Sequence, residues 1–475
     1  MNQLDIAFHR YSPRVLPRPT SLVSYFLTFG VTVLWLGLLS RAFAFHSLLA
    51  WSAGIVYVGY DTFLIVFITL TSFPLFFKNK KVTELNSTQN VSLGIIVPAF
   101  NEAPVLVRTL KSLINQSIPA QKIILADDGS SDHSSRVLKA FLQLEIPQLG
   151  QISAPSPLFP NIYWLRLPHA GKANTLNQTL PHLYTDLIMT VDADTRLDTE
   201  AIKETKIYFQ HHAKVVAATG ILTPQCYPSK KGKVLEFFQR YEYIRNFISR
   251  YSWMRVDSLL LISGALAVFK REALVSVGGF DPECLVEDYE VIHRLHRYSI
   301  EHQLPWQTAV MGRVHALTSS PSSLRSFLKQ RRRWFAGFLQ TQHWNRDMIG
   351  NPKFKLLGLI MMPIKTFDTH QPVYGLSAFA LLVWYLLSHQ LTLVVGILSI
   401  MLTKALFDSI YHLWSVLLYR RWTGLRHTSA FAFALMSSFL EPFSFQLLRH
   451  LGSSLGWVHF MTGQRQWGKE LRRQS

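Results

Sequence analysis

Charge is scarce in this chain. Asp, Glu, Lys and Arg make up 16% of its 475 residues, where a soluble protein carries about a quarter. That excludes an ordinary soluble surface and points to a membrane component. Acid is the scarcer sign, 29 residues against 48 Lys and Arg, for a net charge of +19. Such basicity suits nucleic acid or the anionic face of a membrane. The two cysteines, Cys226 and Cys284, form no disulfide framework and fit a reducing compartment. The chain has no internal repeat and no low-complexity tract, which excludes a solenoid and a disordered tether. It also lacks the G-x-x-x-x-G-K-[ST] spacing of a Walker A loop.

What is abundant is apolar sequence, 49% of the chain, much of it in long runs. Residues 1–20 form a basic N-terminal segment with Arg10, Arg14 and Arg18. Within 21–80, the runs Ser21–Leu39 and Leu48–Phe77 are each long enough to cross a hydrocarbon core of about 30 Å. Ala42-Phe43-Ala44 imitates a leader cleavage site, but a second span follows at once. Lys78, Lys80 and Lys81 close this hairpin, so both of its ends are expected in the cytosol. Apolar runs return in 354–450, at Phe354–Phe367, Val373–Leu387, Leu391–Leu418 and Ser429–Leu448. They predict three to four transmembrane or interfacial helices, with four favoured and six crossings in all. The first is broken by Pro363 and Lys365. Arg420, Arg421 and Arg426, and a basic tail at 451–475 with Arg465, Lys469, Arg472 and Arg473, mark further cytosolic segments. The basic residues flank spans and form no stripe interleaved with aromatics, so nucleic acid is excluded as a partner.

Residues 88–320 read differently. LGIIVPAF, KIILADD, IYWLRL, DLIMTVDAD and VVAATGIL predict buried strands, and VLVRTLKSLINQ, SSRVLKAFLQL and KANTLNQTL predict helices between them. That alternation implies an α/β domain with a mostly parallel sheet, inserted between membrane helices. The Pro-, Gly- and Ser-rich stretch 147–160 is a loop.

Carboxylates cluster at the predicted strand ends, where open α/β sheets place ligands. VPAFNE ends a strand, with Asn101 and Glu102 able to begin a helix. ADDGSSD sets Asp127 and Asp128 after the next strand, although DDGS alone is also a good turn. In TVDADT, Asp192 and Asp194 alternate along an extended segment, so both point the same way. Two such carboxylates repel, and a hard divalent cation, Mg2+ or Mn2+, relieves the repulsion. LVEDYE crowds Glu287, Asp288 and Glu290 into a first helical turn, favoured by the helix dipole and also suited to a general base. PHAGKANTLN sets His169 and Lys172 about a glycine at a helix start, a geometry suited to an anion.

Residues 321–345 predict one amphipathic interfacial helix. Leu324, Phe327, Leu328, Phe335, Phe338 and Leu339 form its apolar face. Gln330, Arg333 and Trp334, at i, i+3 and i+4, share a separate stripe. Arg331 and Arg332 fall off that stripe and are expected to pack or to reach lipid headgroups.

In this order, DDGS, DxD, ED and QxxRW resemble the family-2 glycosyltransferases of GT-A fold. The likeness is strongest to the membrane-embedded branch that includes cellulose, chitin, hyaluronan and poly-N-acetylglucosamine synthases. It covers about residues 90–340. The resemblance implies that Ala99, Phe100 and Glu102 line a nucleotide pocket, and that Asp128, with Asp127 beside it, meets a uracil. Lys172 would approach the diphosphate, with Asp192 and Asp194 as the metal pair and Asp194 the more direct ligand. Asp288 would be the catalytic base beside Glu287, Trp334 would cap the acceptor sugar, and Arg333 would face the diphosphate with Gln330 next to it. Ser263-Gly264-Ala265 would line the acceptor side. The synthases commonly carry Thr where this chain has Val286, which removes a hydroxyl near the base.

The function so implied is an inverting β-glycosyltransferase using a UDP-sugar, processive, in the inner (cytoplasmic) membrane with its catalytic domain cytosolic. Glycan or lipid would be the acceptor, with accessory secretion subunits as further partners. Trp384, Tyr385 and Trp414 are candidates to line a polymer channel. The alternatives are non-processive transfer to a lipid acceptor, and a transporter with an inactive transferase-like domain.

Overall fold

The computed structural model describes residues 3–44, 52–77, 91–425 and 430–463. At its centre an eight-stranded sheet runs in the order β3-β2-β1-β4-β7-β6-β8-β5. The strands are β1 (Leu93–Ala99), β2 (Lys122–Asp127), β3 (Ile162–Arg166), β4 (Leu187–Val191), β5 (Thr195–Leu197), β6 (Val215–Gln225), β7 (Leu266–Lys270) and β8 (Gln307–Ser319). β1 pairs parallel with β2 and β4, β2 with β3, and β6 with β8. β7 runs antiparallel between β4 and β6, and β5 is antiparallel to β8. Every residue of β1 is buried, as expected of a strand covered on both faces. Register sets Ala99 beside Asp127 and Ile96 beside Thr190, so the carboxyl ends of β1, β2 and β4 share one rim.

The five strands expected from apolar runs are present. β5, β7 and β8 were not anticipated. β5 is three residues long, and β8 interleaves Arg313, His315 and Thr318 with its apolar residues, which dilutes the signal. The long Lys230–Arg255 helix also escaped prediction. It is buried on several sides, from Phe238 and Tyr241 to Glu242, Phe247 and Ser252, so no single apolar stripe marks it.

Around this domain lie the apolar helices. Three are long and apolar enough to cross a membrane, Leu22–Arg41, Gly54–Phe77 and Leu391–Thr423, and a pair bent by 51°, Phe431–Phe443 and Phe445–Met461, makes a fourth if it is one span. The count among the described residues is three or four rather than six: Phe354–Phe367 and Val373–Leu387 do not form separate spans, and the helix they share is not among those long and apolar enough to cross. They join in one Met362–Leu387 helix, which tolerates Pro363 in its first turn and Pro372 inside. The last helix extends to Met461, so 451–461 is not tail. Lys78, Lys80, Lys81, Arg426 and the basic residues from Arg465 onward lie outside the described residues. Inside the spans Lys404 meets Asp61 at 2.5 Å and also bonds Asp408, the pairing that burial away from water favours. The channel-lining candidates separate. Trp384 is exposed on the bundle's outer surface, Tyr385 is buried, and Trp414 stacks on Phe73 and Phe76.

The N-terminal segment straps onto the catalytic domain. Leu4 of the Gln3–Tyr11 helix is buried, and Arg14 grips Asp281 with two bonds of 2.8 and 3.0 Å. Phe8 lies so close to Gly278, at φ +83°, that no side chain fits there. The Leu324–Trp344 helix begins at a capping box of Ser323 and Ser326. It packs closely on Phe445–Met461, where Gly452 and Gly456 admit Arg331 and Phe335.

Candidate active site

The cleft opens on the rim formed by β1, β2 and β4. Past β1, Asn101 takes φ +58°, and its side-chain oxygen accepts from Ser131 N at 2.8 Å and Asp132 N at 3.1 Å. Asn101 therefore does not start the next helix, which begins at Leu106; it knits two rim loops together. Its helix-start character hid that role. Ala99 is buried at the strand end, and Phe100 stacks on His169 with ring centres 4.0 Å apart. Glu102 is half-buried on the same loop, its N–H donating to Ser134 Oγ.

The Asp127-Asp128 pair divides its work. Asp128 is buried and accepts from Ala170 N at 2.9 Å and Gly171 N at 3.1 Å, with His169 Nδ1 2.9 Å away. It thus shapes the loop ahead of Lys172. Asp127 Oδ1 accepts from Ser130 N, while its buried Oδ2 has no hydrogen-bond partner among the described residues. Burial pushes the Asp127 carboxyl above its usual range. Of the two, Asp127 keeps an unsatisfied acceptor, buried at the end of β2.

Asp192 and Asp194 do not sit on an extended segment. The chain turns tightly after β4, with Thr195 N donating to Asp192 O at 2.9 Å. Asp192 remains accessible and binds Lys172 Nζ at 2.7 Å; Asp194 is nearly buried beside the Thr195 hydroxyl. Lys172, expected near a diphosphate, here bridges two motifs, reaching Glu287 at 3.2 Å as well. Burial disfavours its ammonium, but Asp192, Glu287 and Asp288 outweigh that and hold its pKa above the ordinary value. The accessible Asp192, with the nearly buried Asp194 two residues on, offers hard oxygens suited to a divalent ion whose other ligands would come from diphosphate and water.

Asp288 lies on the cleft floor in the first turn of the Glu287–Glu301 helix. Its Oδ2 accepts from Gly264 N at 2.6 Å, and only glycine leaves room there for the carboxylate. This places the Ser263-Gly264-Ala265 segment beside Asp288. Burial, then the neighbouring Glu287 charge, pushes the Asp288 carboxyl up to about 6, against the pull of Lys172 and Arg333. Val286, at the departure from the common motif, packs against Gly337 of the Leu324–Trp344 helix.

On that helix the arginines separate. Arg333 Nη1 donates to Leu285 O at 3.1 Å, and its charge reaches Asp288. Gln330 Oε1 is buried with no hydrogen-bond partner among the described residues, and Trp334 is half-buried against the domain core. Arg331 does not reach lipid headgroups. It is buried in a two-bond pair with Glu242 at 2.8 and 2.6 Å and lies over the rings of Phe327 and Trp334. Glu242 lies on the helix that prediction missed, so no sequence signal announced this partner.

The family model for glycosyl transferase family 2 matches residues 94–278, and that for glycosyl transferase family group 2 matches 187–443, more than half of the chain. A poly-beta-1,6-N-acetyl-D-glucosamine synthase of Staphylococcus epidermidis is 25% identical over 323 residues, 66% of this chain and 72% of that protein. Its namesake from Staphylococcus aureus strain COL is 28% identical over 266 residues, 54% of this chain and 57% of the relative. A mannosyltransferase from Pyrobaculum calidifontis, solved with GDP-Man and Mn2+, shares the fold: its TM-score is 0.55 at 17% identity, covering 83% of this chain and 99% of that one. The sheet, the rim of acidic loops, the apolar flanking helices and the matched families agree: this chain is a membrane-associated glycosyltransferase belonging to family 2.

Proposed function

We propose that the protein is an inverting β-glycosyltransferase that extends a polysaccharide from a UDP-sugar. The observation that carries this reading is Asp288, a single carboxylate of raised pKa on the cleft floor, aimed by Gly264 N beside the Lys172–Asp192 pair. In the reaction an acceptor hydroxyl oxygen forms a bond to the anomeric carbon as the bond from that carbon to the diphosphate oxygen breaks. The electron pair leaves with UDP, and Asp288 takes the hydroxyl proton. Attack opposite the leaving group inverts the anomeric centre, as in one-step glycoside hydrolysis. Phe100, Glu102 and Asp127 line the nucleotide side, and Lys172 and Arg333 offset charge developing on the diphosphate. Asp192 and Asp194 would hold Mg2+ or Mn2+, which supplies Lewis-acid stabilisation of that diphosphate.

Trp334, Gln330 and Ser263 form the acceptor side. The relatives named as poly-N-acetylglucosamine synthases favour UDP-N-acetylglucosamine as the donor to test and processive growth as the outcome. Orientation follows from charge. Arg14 grips the catalytic domain, and Trp422, beside Arg420 and Arg421, packs on Gly312 of β8. The basic helix ends therefore lie on the catalytic side, which supports a cytosolic catalytic domain in an inner membrane. The test is to incubate the purified protein in nanodiscs with radiolabelled UDP-N-acetylglucosamine and other UDP-sugars singly, adding Mg2+ or Mn2+. Polymer that lengthens with time is expected. A product that remains a single-sugar lipid would overturn the processive reading.

A further inference from the structure

The fold closes buried guanidinium groups on carboxylates. Arg245 pairs with Glu441 at 2.6 Å, Arg294 with Glu290 at 2.6 Å, Arg297 with Asp347 at 2.7 Å and Arg331 with Glu242 at 2.6 Å. Arg250 breaks this pattern. Its Nε and Nη1 are shielded from solvent with no hydrogen-bond partner among the described residues, and its guanidinium lies over the ring of Phe247, 4.8 Å from the centre. A guanidinium with shielded donors unsatisfied and no carboxylate in direct contact is costly. Such a group is retained where something else supplies the anion.

Its place in the fold says what that something is. Arg250 lies on the Lys230–Arg255 helix, seven residues and so about two turns beyond Tyr243, on the same face. Two residues further on, Ser252 Oγ donates to Ile68 O of the apolar Ser52–Ser72 helix at 3.1 Å, and Trp253 packs on Phe67. This turn is therefore the seam between catalytic domain and membrane helices. The carboxylate whose charge reaches Arg250 is that of Asp288, and the Arg250 pKa, lowered by burial to about 10, still leaves it cationic. The residues at the diphosphate position, Lys172 and Arg333, lie on other elements.

We propose that Arg250 is an anion-recognising residue of the acceptor site, its guanidinium binding a carboxylate or phosphate carried by the acceptor where it enters from the membrane seam. A planar fork of donors suits either oxyanion. The inference rests on the proposed function only for the side on which the acceptor approaches Asp288.

The test is direct binding to the full chain in phosphatidylcholine nanodiscs, so that it does not depend on turnover. The probes are farnesyl phosphate, a glucuronate-terminated trisaccharide, and their neutral counterparts farnesol and tri-N-acetylglucosamine. Arg250→Ala should weaken one anionic probe by at least about 30-fold, move the neutral probes less than about 2-fold, and leave UDP binding in place as the check on folding. Arg250→Lys should recover part of the loss, because it keeps the charge without the fork. Dependence of farnesyl phosphate alone identifies a lipid phosphate; dependence of the glucuronate probe alone identifies a glycan carboxylate. Unchanged anion binding in Arg250→Ala, or neutral probes that bind the wild type as tightly as the anions, would overturn the inference. Failure of every UDP-sugar to give product would instead strike the proposed function and leave this binding result standing.

Discussion

Two ionic clusters lie on either side of the Leu324–Trp344 helix, and they are built oppositely. On the cleft side, Asp192, Glu287 and Asp288 share Lys172, with Arg333 acting from further off. Acid is in excess, Asp192 stays accessible, and Asp288 is held at a raised pKa. On the far side, Glu242 and Glu441 are gripped by Arg331, Arg449 and Arg245 in a closed chain of contacts from 2.6 to 3.5 Å. There base is in excess and every acid is engaged. The closed cluster ties the helix to the membrane bundle; the open one is left with charge to spend on a substrate. The helix carries one product of each, Arg331 facing inward and Arg333 facing the cleft.

The largest effect should come from the open cluster. Asp288→Asn is expected to lower turnover by at least about 1,000-fold, as loss of a general base does, with UDP binding retained by titration. The same variant should melt higher at pH 8, by about 1 kcal/mol. Burial raises the Asp288 pKa, so its favourable contribution belongs to the protonated form and is lost as pH rises through about 6. The amide removes that cost. A lower melting point at pH 8 would show that the Asp288 charge is not strained.

Arg333→Ala should cost about 100-fold in turnover, the scale of one lost electrostatic donor, while Arg332→Ala stays within about 3-fold of wild type on the same scale. Equal losses, with membrane insertion normal, would erase the distinction along this helix.

Glu242→Ala should act on the closed cluster, costing about 3 kcal/mol of stability because it leaves Arg331 buried and unpaired. Denaturation of the detergent-solubilised protein measures this. Turnover per folded molecule should fall far less than in Asp288→Asn, and the reverse order would break the contrast. A smaller loss of stability than at Glu242 is expected at the N-terminal strap. Arg14→Ala removes a two-bond ion pair with the fully buried Asp281 and should lower stability by about 1–2 kcal/mol, seen as a shift in thermal midpoint.

The open cluster was largely legible in the sequence, since its residues sit at strand ends and in short motifs whose types serve chemistry. The closed cluster was not. Glu242, Arg245, Glu441 and Arg449 are spread over elements far apart in the chain, and their pairing exists only once those helices pack. The same limit explains Arg331, whose partner lies on a helix without an apolar stripe. It also explains the Asp192–Asp194 turn, because an alternating D-x-D reads as extended until Thr195 closes a hydrogen bond behind it. Merging two apolar runs into the Met362–Leu387 helix needed only that prolines be tolerated where neighbours satisfy the backbone, which no local pattern announces.

The most direct measurement is the pH dependence of kcat/KM for transfer from UDP-N-acetylglucosamine, or from whichever UDP-sugar proves to be the donor. Asp288 must be ionised to accept the hydroxyl proton, so the rate should fall as pH drops through about 6. An acid limb near pH 6 supports a carboxylate raised by burial as the base. A rate that holds level down to pH of about 4.5, close to an ordinary carboxylate, would contradict it.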